Sequence, residues 1–152
     1  MKILVFSDSH RFLSGMVQAI EEEKPDQVIH LGDLMGDAEE LSWRFQTLPI
    51  CMVPGNCDGW TTAPAIKRIT LQGRDILLSH GHLWGVKGGY DLAIAEARKS
   101  GVDILLFGHT HRAYCQQLED GLWVMNPGAS RTSYGTILLE GDSIFCALTK
   151  LI

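Results

Sequence analysis

Short apolar runs alternate with amphipathic stretches through the first two-thirds of the chain, the pattern of strand–helix–strand units that build a mostly parallel, buried sheet. Ile3 to Phe6 predicts a strand. Phe12, Leu13, Met16, Val17 and Ile20 then recur at helical spacing until Pro25 ends the pattern, and Gln27 to His30 resumes as a strand. Asp37 is expected to cap a second helix with Leu41, Phe45 and Leu48 on one face, followed by a strand from Ile50 to Val53. Ile66 to Leu71 and Ile76 to Leu78 flank a Gln72-Gly73-Arg74 turn and predict a hairpin. Tyr90 to Lys99 is helical and stops before Gly101, and Asp103 to Phe107 is the next buried strand.

From Ala113 onward the pattern changes. Turn residues at Glu119-Asp120-Gly121 and Glu140-Gly141-Asp142 separate alternating runs, so the end of the chain predicts antiparallel hairpins. The expected fold is α/β, with two sheets packed face to face and helices outside, in a single domain over residues 1–152. A chain of 152 residues buries roughly 70% of the surface it exposes when unfolded, enough for one proper core. No internal repeat, linker or low-complexity tract divides it.

Charge and composition narrow the function classes. With 13 Lys and Arg against 18 Asp and Glu, and no basic run, a broad nucleic-acid-binding surface is not expected. No apolar stretch reaches the ~18 residues of a membrane span. Cys51, Cys57, Cys115 and Cys146 lack CxxC spacing, and the chain opens directly into an apolar strand rather than a leader. Free thiols and a cytoplasmic location are the expectation. The sequence sets no expectation of oligomeric state.

Five of the apolar strand candidates run out, at their C-terminal ends, into residues able to bind a metal. They are Ser7-Asp8-Ser9-His10, Gly32-Asp33, Gly55-Asn56-Cys57-Asp58, Ser79-His80-Gly81-His82 and Gly108-His109-Thr110-His111. In open α/β sheets ligands bind outside the carboxyl ends of the strands, so the five groups are expected to converge on one crevice. Mixed carboxylate, imidazole and amide donors suit Mn²⁺, Fe or Zn²⁺ in a reactive site better than a structural thiolate cage. Seven such ligands exceed what one ion uses while keeping a position open, and two ions at ~3.5–4 Å form the clamp that serves in-line displacement at phosphorus. His30, inside an apolar run, fits an ordinary core histidine and is set apart from the site.

This ordered set of motifs, covering nearly the whole chain, resembles the calcineurin-like metallophosphoesterases. The short length, the Gly55–Asp58 and Ser79–His82 loops and Asn126-Pro127-Gly128 are similar to the small microbial phosphodiesterase branch, the YfcE type. The resemblance implies a four-layer α/β/β/α sandwich and a phosphoesterase, most simply a phosphodiesterase, acting on a small phosphate ester with a hydroxide bridging two divalent ions, Mn²⁺ being the best match. Asp8, His10, Asp33 and His111 would hold the first ion, and Asp33, Asn56, His80 and His109 the second, with Asp33 as the bridge. Asp33, Asn56, Cys57 and His109 are the candidate catalytic residues. Many relatives carry a histidine at the position of Cys57, and a thiol is a poorer proton donor than an imidazole. His82 takes a supporting role at most. Trp60, Trp84 and Tyr90 lie near motif loops as candidate pocket residues, although aromatics are more often core. Asn126-Pro127-Gly128 fits plain turn chemistry as well as a place in the site, and Arg131 after it is a candidate phosphate contact. The alternative function is a non-catalytic protein-interaction module, because the same fold family includes a retromer subunit with a decayed metal site. The discriminator is whether the metal ligands are present, and here every expected position is filled.

Overall fold

The alternation of the first half is realised as β1 (Lys2–Phe6), α1 (Ser14–Glu23), β2 (Gln27–His30), α2 (Met35–Arg44), β3 (Ile50–Met52), β4 (Ile66–Leu71) and β5 (Arg74–Ser79). The second half continues through α3 (Asp91–Ser100), β6 (Ile104–Leu106), β7 (Tyr114–Gln117), β8 (Trp123–Asn126), β9 (Ser133–Glu140) and β10 (Ser143–Lys150). The computed structural model describes residues 1–151.

The strands form two five-stranded sheets, in the orders β10-β9-β1-β2-β3 and β4-β5-β6-β8-β7. Both faces of β1 are covered, which is why its sequence is apolar without alternation. Ile3 and Val5 point between the sheets, where they meet Ile76, Leu78, Ile104, Leu106 and Met125 from the other sheet. Leu4 and Phe6 point outward to Met16, Ala19 and Ile20 of α1 and Leu41 of α2. On the second sheet Leu77, Leu105 and Val124 point outward to Ala93 and Ala97 of α3. Helix, sheet, sheet and helix layers follow one another, as the sequence predicts. β4 sits at an edge and alternates, with Ile69 and Leu71 turned to the core and Lys67 and Arg68 supplying charge along that edge.

Each sheet is mixed, as parallel units followed by antiparallel hairpins predict: β1, β2 and β3 run parallel, β9 and β10 join them antiparallel, and β4 and β7 flank parallel β5, β6 and β8 antiparallel. Two expectations are corrected. Asp37 does not cap α2, which begins two residues earlier at Met35. Its carboxylate is buried instead, accepting hydrogen bonds from Ser9 Oγ at 2.6 Å and the Arg11 N–H at 2.7 Å, so it ties α2 to the loop after β1. Arg74 belongs to β5, leaving Gln72-Gly73 as a two-residue turn with φ of 48° and 77°, the pairing a tight hairpin of this hand requires.

Candidate metal centre

The C-terminal ends of β1, β2, β5 and β6 come together across the two sheets and carry Asp8 and His10, Asp33, His80, and His109 and His111. Asp8 Oδ1 lies 3.2 Å from His111 Nε2, 3.7 Å from His80 Nε2 and 3.9 Å from His10 Nε2. Asp33 Oδ2 lies 3.4 Å from His80 Nε2 and 3.9 Å from His10 Nε2. His109 Nδ1 stands 3.2 Å from His80 Nε2. Two groupings, Asp8–His10–His111 and Asp8–Asp33–His80, bring their ligand atoms within 4.8 Å of one another. Asp8, Asp33 and His80 form the buried floor, and His10 and His111 the exposed rim.

The floor is shaped for a cation. Asp8 Oδ1 is buried and makes no hydrogen bond, while its Oδ2 accepts from Ser7 Oγ at 2.7 Å and the His109 N–H at 3.0 Å. Leaving a buried polar group without a hydrogen bond costs ~1–3 kcal/mol, and more for a charged one, a cost that a bound ion would remove. His80 Nδ1–H donates to the Leu31 carbonyl at 2.8 Å, which aims Nε2 at the two carboxylates. The donor set therefore fits divalent cations. Without an ion, burial lowers the His80 pKa, but the Asp33 hydrogen bond and the Asp8 and Asp33 charges outweigh it and leave it raised. Burial alone raises the Asp33 carboxyl, yet hydrogen bonds from His80 and the Cys57 N–H hold it well below the usual range. Burial first, and then the His80 charge, lower both His82 and His109.

Backbone conformation marks the same residues. Among the described residues eight non-glycine positions have positive φ, and five of them are Asp8, His10, Asp33, His109 and His111, between 42° and 71°. Each such placement costs on the order of 1–3 kcal/mol and persists only where the surroundings enforce it. Much of that enforcement comes from residues outside the expected ligand set. Asp58 accepts from the N–H groups of Asp33 (3.0 Å), Met35 (2.8 Å) and Gly55 (2.7 Å), closing the loop after β3 onto the loop after β2. Gly32 N–H donates to His30 Nδ1 at 3.1 Å, so His30 Nε2–H donates to Ser9 Oγ at 2.9 Å, and Ser9 in turn donates to Asp37. His30 is thus a core histidine, as expected, and also a brace between the first two loops. Asn126 donates to the Gly108 carbonyl (3.1 Å) and Thr110 Oγ1 (2.9 Å) while accepting from Gly128 N–H (2.9 Å), so its turn supports the His109–His111 loop. Asp58 sits three residues after Gly55, a spacing that favours such an acidic turn and is the one sequence signal for it.

The remaining candidates stand around this cluster. Asn56 is exposed, and its amide Nδ2 donates to Cys57 Sγ at 3.6 Å, leaving its Oδ1 as the donor atom available to a cation. The Cys57 N–H donates to Asp33 Oδ1 at 2.9 Å, and Asp33 pushes the exposed thiol up, keeping it neutral. His82 lies beside His80, ring centroids 5.6 Å apart, with a buried, unpartnered Nδ1. Trp84 is core, and Tyr90 packs on Phe107 and Tyr114 at 4.8 and 5.0 Å, whereas Trp60 is exposed. Arg131 stacks over Phe12, 4.7 Å from its ring centre.

Comparison with known proteins agrees with this geometry. Residues 1–140 match the calcineurin-like phosphoesterase superfamily domain. The probable metallophosphoesterase YsnB of Bacillus subtilis is 35% identical over 154 residues, covering 94% of this chain and 87% of its own length. Vps29 of Chaetomium thermophilum shares the fold with a TM-score of 0.82 at 23% identity, over 99% of this chain and 89% of that one. YfcE, a phosphoesterase from E. coli, shares it with a TM-score of 0.67 at 22% identity, over 95% and 91%. Four layers, ligand-bearing strand ends and a matching domain over most of its length place this chain in the calcineurin-like phosphoesterase superfamily.

Proposed function

We propose that the chain is a metal-dependent phosphodiesterase that hydrolyses a small phosphate ester, using two divalent ions held by Asp8, His10, Asp33, Asn56, His80, His109 and His111. The observation that carries this reading is the buried, unpartnered Asp8 Oδ1 facing the Nε2 atoms of His10, His80 and His111. When bound, divalent ions acidify water and offset charge developing on phosphoryl oxygens, Mn²⁺ being well suited to carboxylate and imidazole donors. The chain's own residues then orient the reaction. Asp33 is held in place by the Cys57 N–H, which donates to its Oδ1 at 2.9 Å. His80 is locked in one orientation by Leu31. The open rim at His10 and His111 leaves the ester free to approach from solvent. In hydrolysis, water oxygen bonds to phosphorus, one P–O ester bond breaks, and the departing alkoxide takes up a proton. The Cys57 thiol stands against the Asp33 carboxylate, which disfavours a thiolate there.

The completeness of the donor set supports an enzyme over a protein-binding scaffold, since losing one or two ligands lowers metal affinity sharply. The four free cysteines fit a reducing cytoplasm. No helix is long and apolar enough to cross a membrane among the described residues. Chelation is expected to abolish hydrolysis of bis(p-nitrophenyl) phosphate, with Mn²⁺ restoring it better than Mg²⁺ or Zn²⁺. Full activity in metal-stripped protein would overturn the metal-dependent reading, and equal turnover of phosphomonoesters the diesterase specificity.

A further inference from the structure

Beside the metal centre lies an open cleft of about 520 Å³, within the size range of sites for small organic ligands. Its walls are the Val86–Tyr90 loop and the Thr110–Arg112 segment. Both belong to the site's framework. Val86 packs on Gly81, between His80 and His82, and its N–H reaches the Gly81 carbonyl at 3.5 Å, so the loop is seated on the turn that carries two histidines. Thr110 lies between His109 and His111 and is held by Asn126, and Arg112 follows directly. Tyr90, fixed by Phe107 and Tyr114, gives one wall a rigid backing.

The charge of this cleft runs against that of the molecule. The chain carries a net charge of −5, yet Lys87 and Arg112 line the cleft and no carboxylate does. Both side chains are exposed, and neither enters an ion pair or a side-chain hydrogen bond among the described residues. Lys2, Arg44, Arg68, Arg74 and Arg98 are engaged by carboxylates, whereas these two cations stand together on one cleft without one. Two free cations facing one cleft next to a phosphoester site suit a second phosphate, with Arg112 able to bind it through two parallel N–H groups and Lys87 as a point charge. We infer that Lys87 and Arg112 form a specificity subsite for a second phosphate on the substrate, so that the preferred esters are phosphodiesters of nucleotide size that carry a further terminal phosphate.

This inference rests on the phosphodiesterase reading, and two arms keep them separable. In the first, kcat/KM is compared for thymidine 5′-(p-nitrophenyl phosphate) and the same compound bearing a 3′-phosphate. The parent with Mn²⁺ is expected to prefer the 3′-phosphorylated ester by ~10-fold or more, in line with two charge-assisted contacts. In Lys87→Ala/Arg112→Ala that ratio should collapse toward one, mainly through KM. A parent without the preference, or a ratio unchanged in the variant, would overturn the subsite. In the second arm, calorimetry measures binding of thymidine 3′,5′-bisphosphate to metal-loaded parent and variant. A loss of ~10-fold in the double variant supports the subsite even where neither ester is turned over, which would defeat only the diesterase reading. Equal affinity in parent and variant would overturn it.

Discussion

His30 shows how one side chain can be structural and still govern the site. Its ring is fully enclosed and accepts from Gly32 N–H while donating to Ser9, so it is held neutral. Burial outweighs the nearby Asp37, Asp58 and Asp8 charges and lowers its pKa from 6.5 to about 4. The unfolded chain takes up a proton at this residue below its ordinary pKa of ~6.5, whereas the folded chain refuses it until about 4. Stability from His30 is therefore complete above that ordinary value and is lost progressively as pH falls toward about 4, by up to roughly 3 kcal/mol. Urea unfolding of metal-stripped protein at several pH values should show this slope, and His30→Gln should flatten it. A slope identical in parent and variant would show that another group carries the acid sensitivity. Cys57 makes the complementary point. Its backbone N–H anchors Asp33, so the residue contributes through its main chain while its thiol stays neutral.

At the level of elements, the loops that meet at the site leave no room for error. Gly108 follows β6, and a Cβ there would collide with Ser7 Oγ and lie 2.8 Å from Asp8 Oδ2, both beyond the end of β1. Its φ is not in the left-handed region, so the demand is for space rather than for backbone freedom. Gly108→Ala should displace Asp8, costing ~1–3 kcal/mol of stability as overpacking does and lowering metal affinity ~10-fold or more. Urea unfolding and metal titration of the variant check both, and unchanged metal affinity would mean that Asp8 can shift without loss. This scale also marks the limit of what the pattern of residues conveys. β2 and β4 lie where the apolar runs predict, and the motifs after β1, β2, β5 and β6 bring their carboxylates and imidazoles together, because burial and the placement of ligand sites are local properties of a strand and its exit. The start of α2 was not legible, since Asp37 looks like a cap but is drawn into the core by Ser9 and Arg11. The bracing by Asp58, Asn126 and His30 was hidden as well, because each reaches a partner far from it in sequence: the Asp33 N–H, the Gly108 carbonyl and the Ser9 hydroxyl. Side-chain direction was hidden too: Asn56 reaches the site's loop but turns to Cys57.

For the whole molecule, the two sheets hold the site jointly. Asp8, His10 and Asp33 follow strands of one sheet, and His80, His109 and His111 follow strands of the other. An ion bound between them resists separation of the layers, and any ligand selective for the folded state stabilises it by mass action. With metal at 100 times its dissociation constant, one ion should add about 2.7 kcal/mol, raising the melting midpoint by on the order of 5–10 °C for a domain of this size. Thermal melts of stripped protein with and without Mn²⁺ test this, and Asp33→Asn should blunt the rise. A midpoint indifferent to metal in the parent would speak against a site shared by both layers.

The partners of β1 have a consequence for how the polypeptide is made. Lys2 pairs with Leu138 and Val5 with Gly135, so one flank of the first strand to be synthesised is closed only by one of the last. All six candidate carboxylate and imidazole ligands precede β9 in the chain and are synthesised before it, while Ile3 and Val5 still lack Ile137, Leu139 and Cys146 as neighbours. Translation thus delivers the candidate metal ligands before the strands that complete their scaffold. Such long-range pairing is slow to form, and the nascent chain waits with its central strand half covered until the C-terminal hairpin arrives.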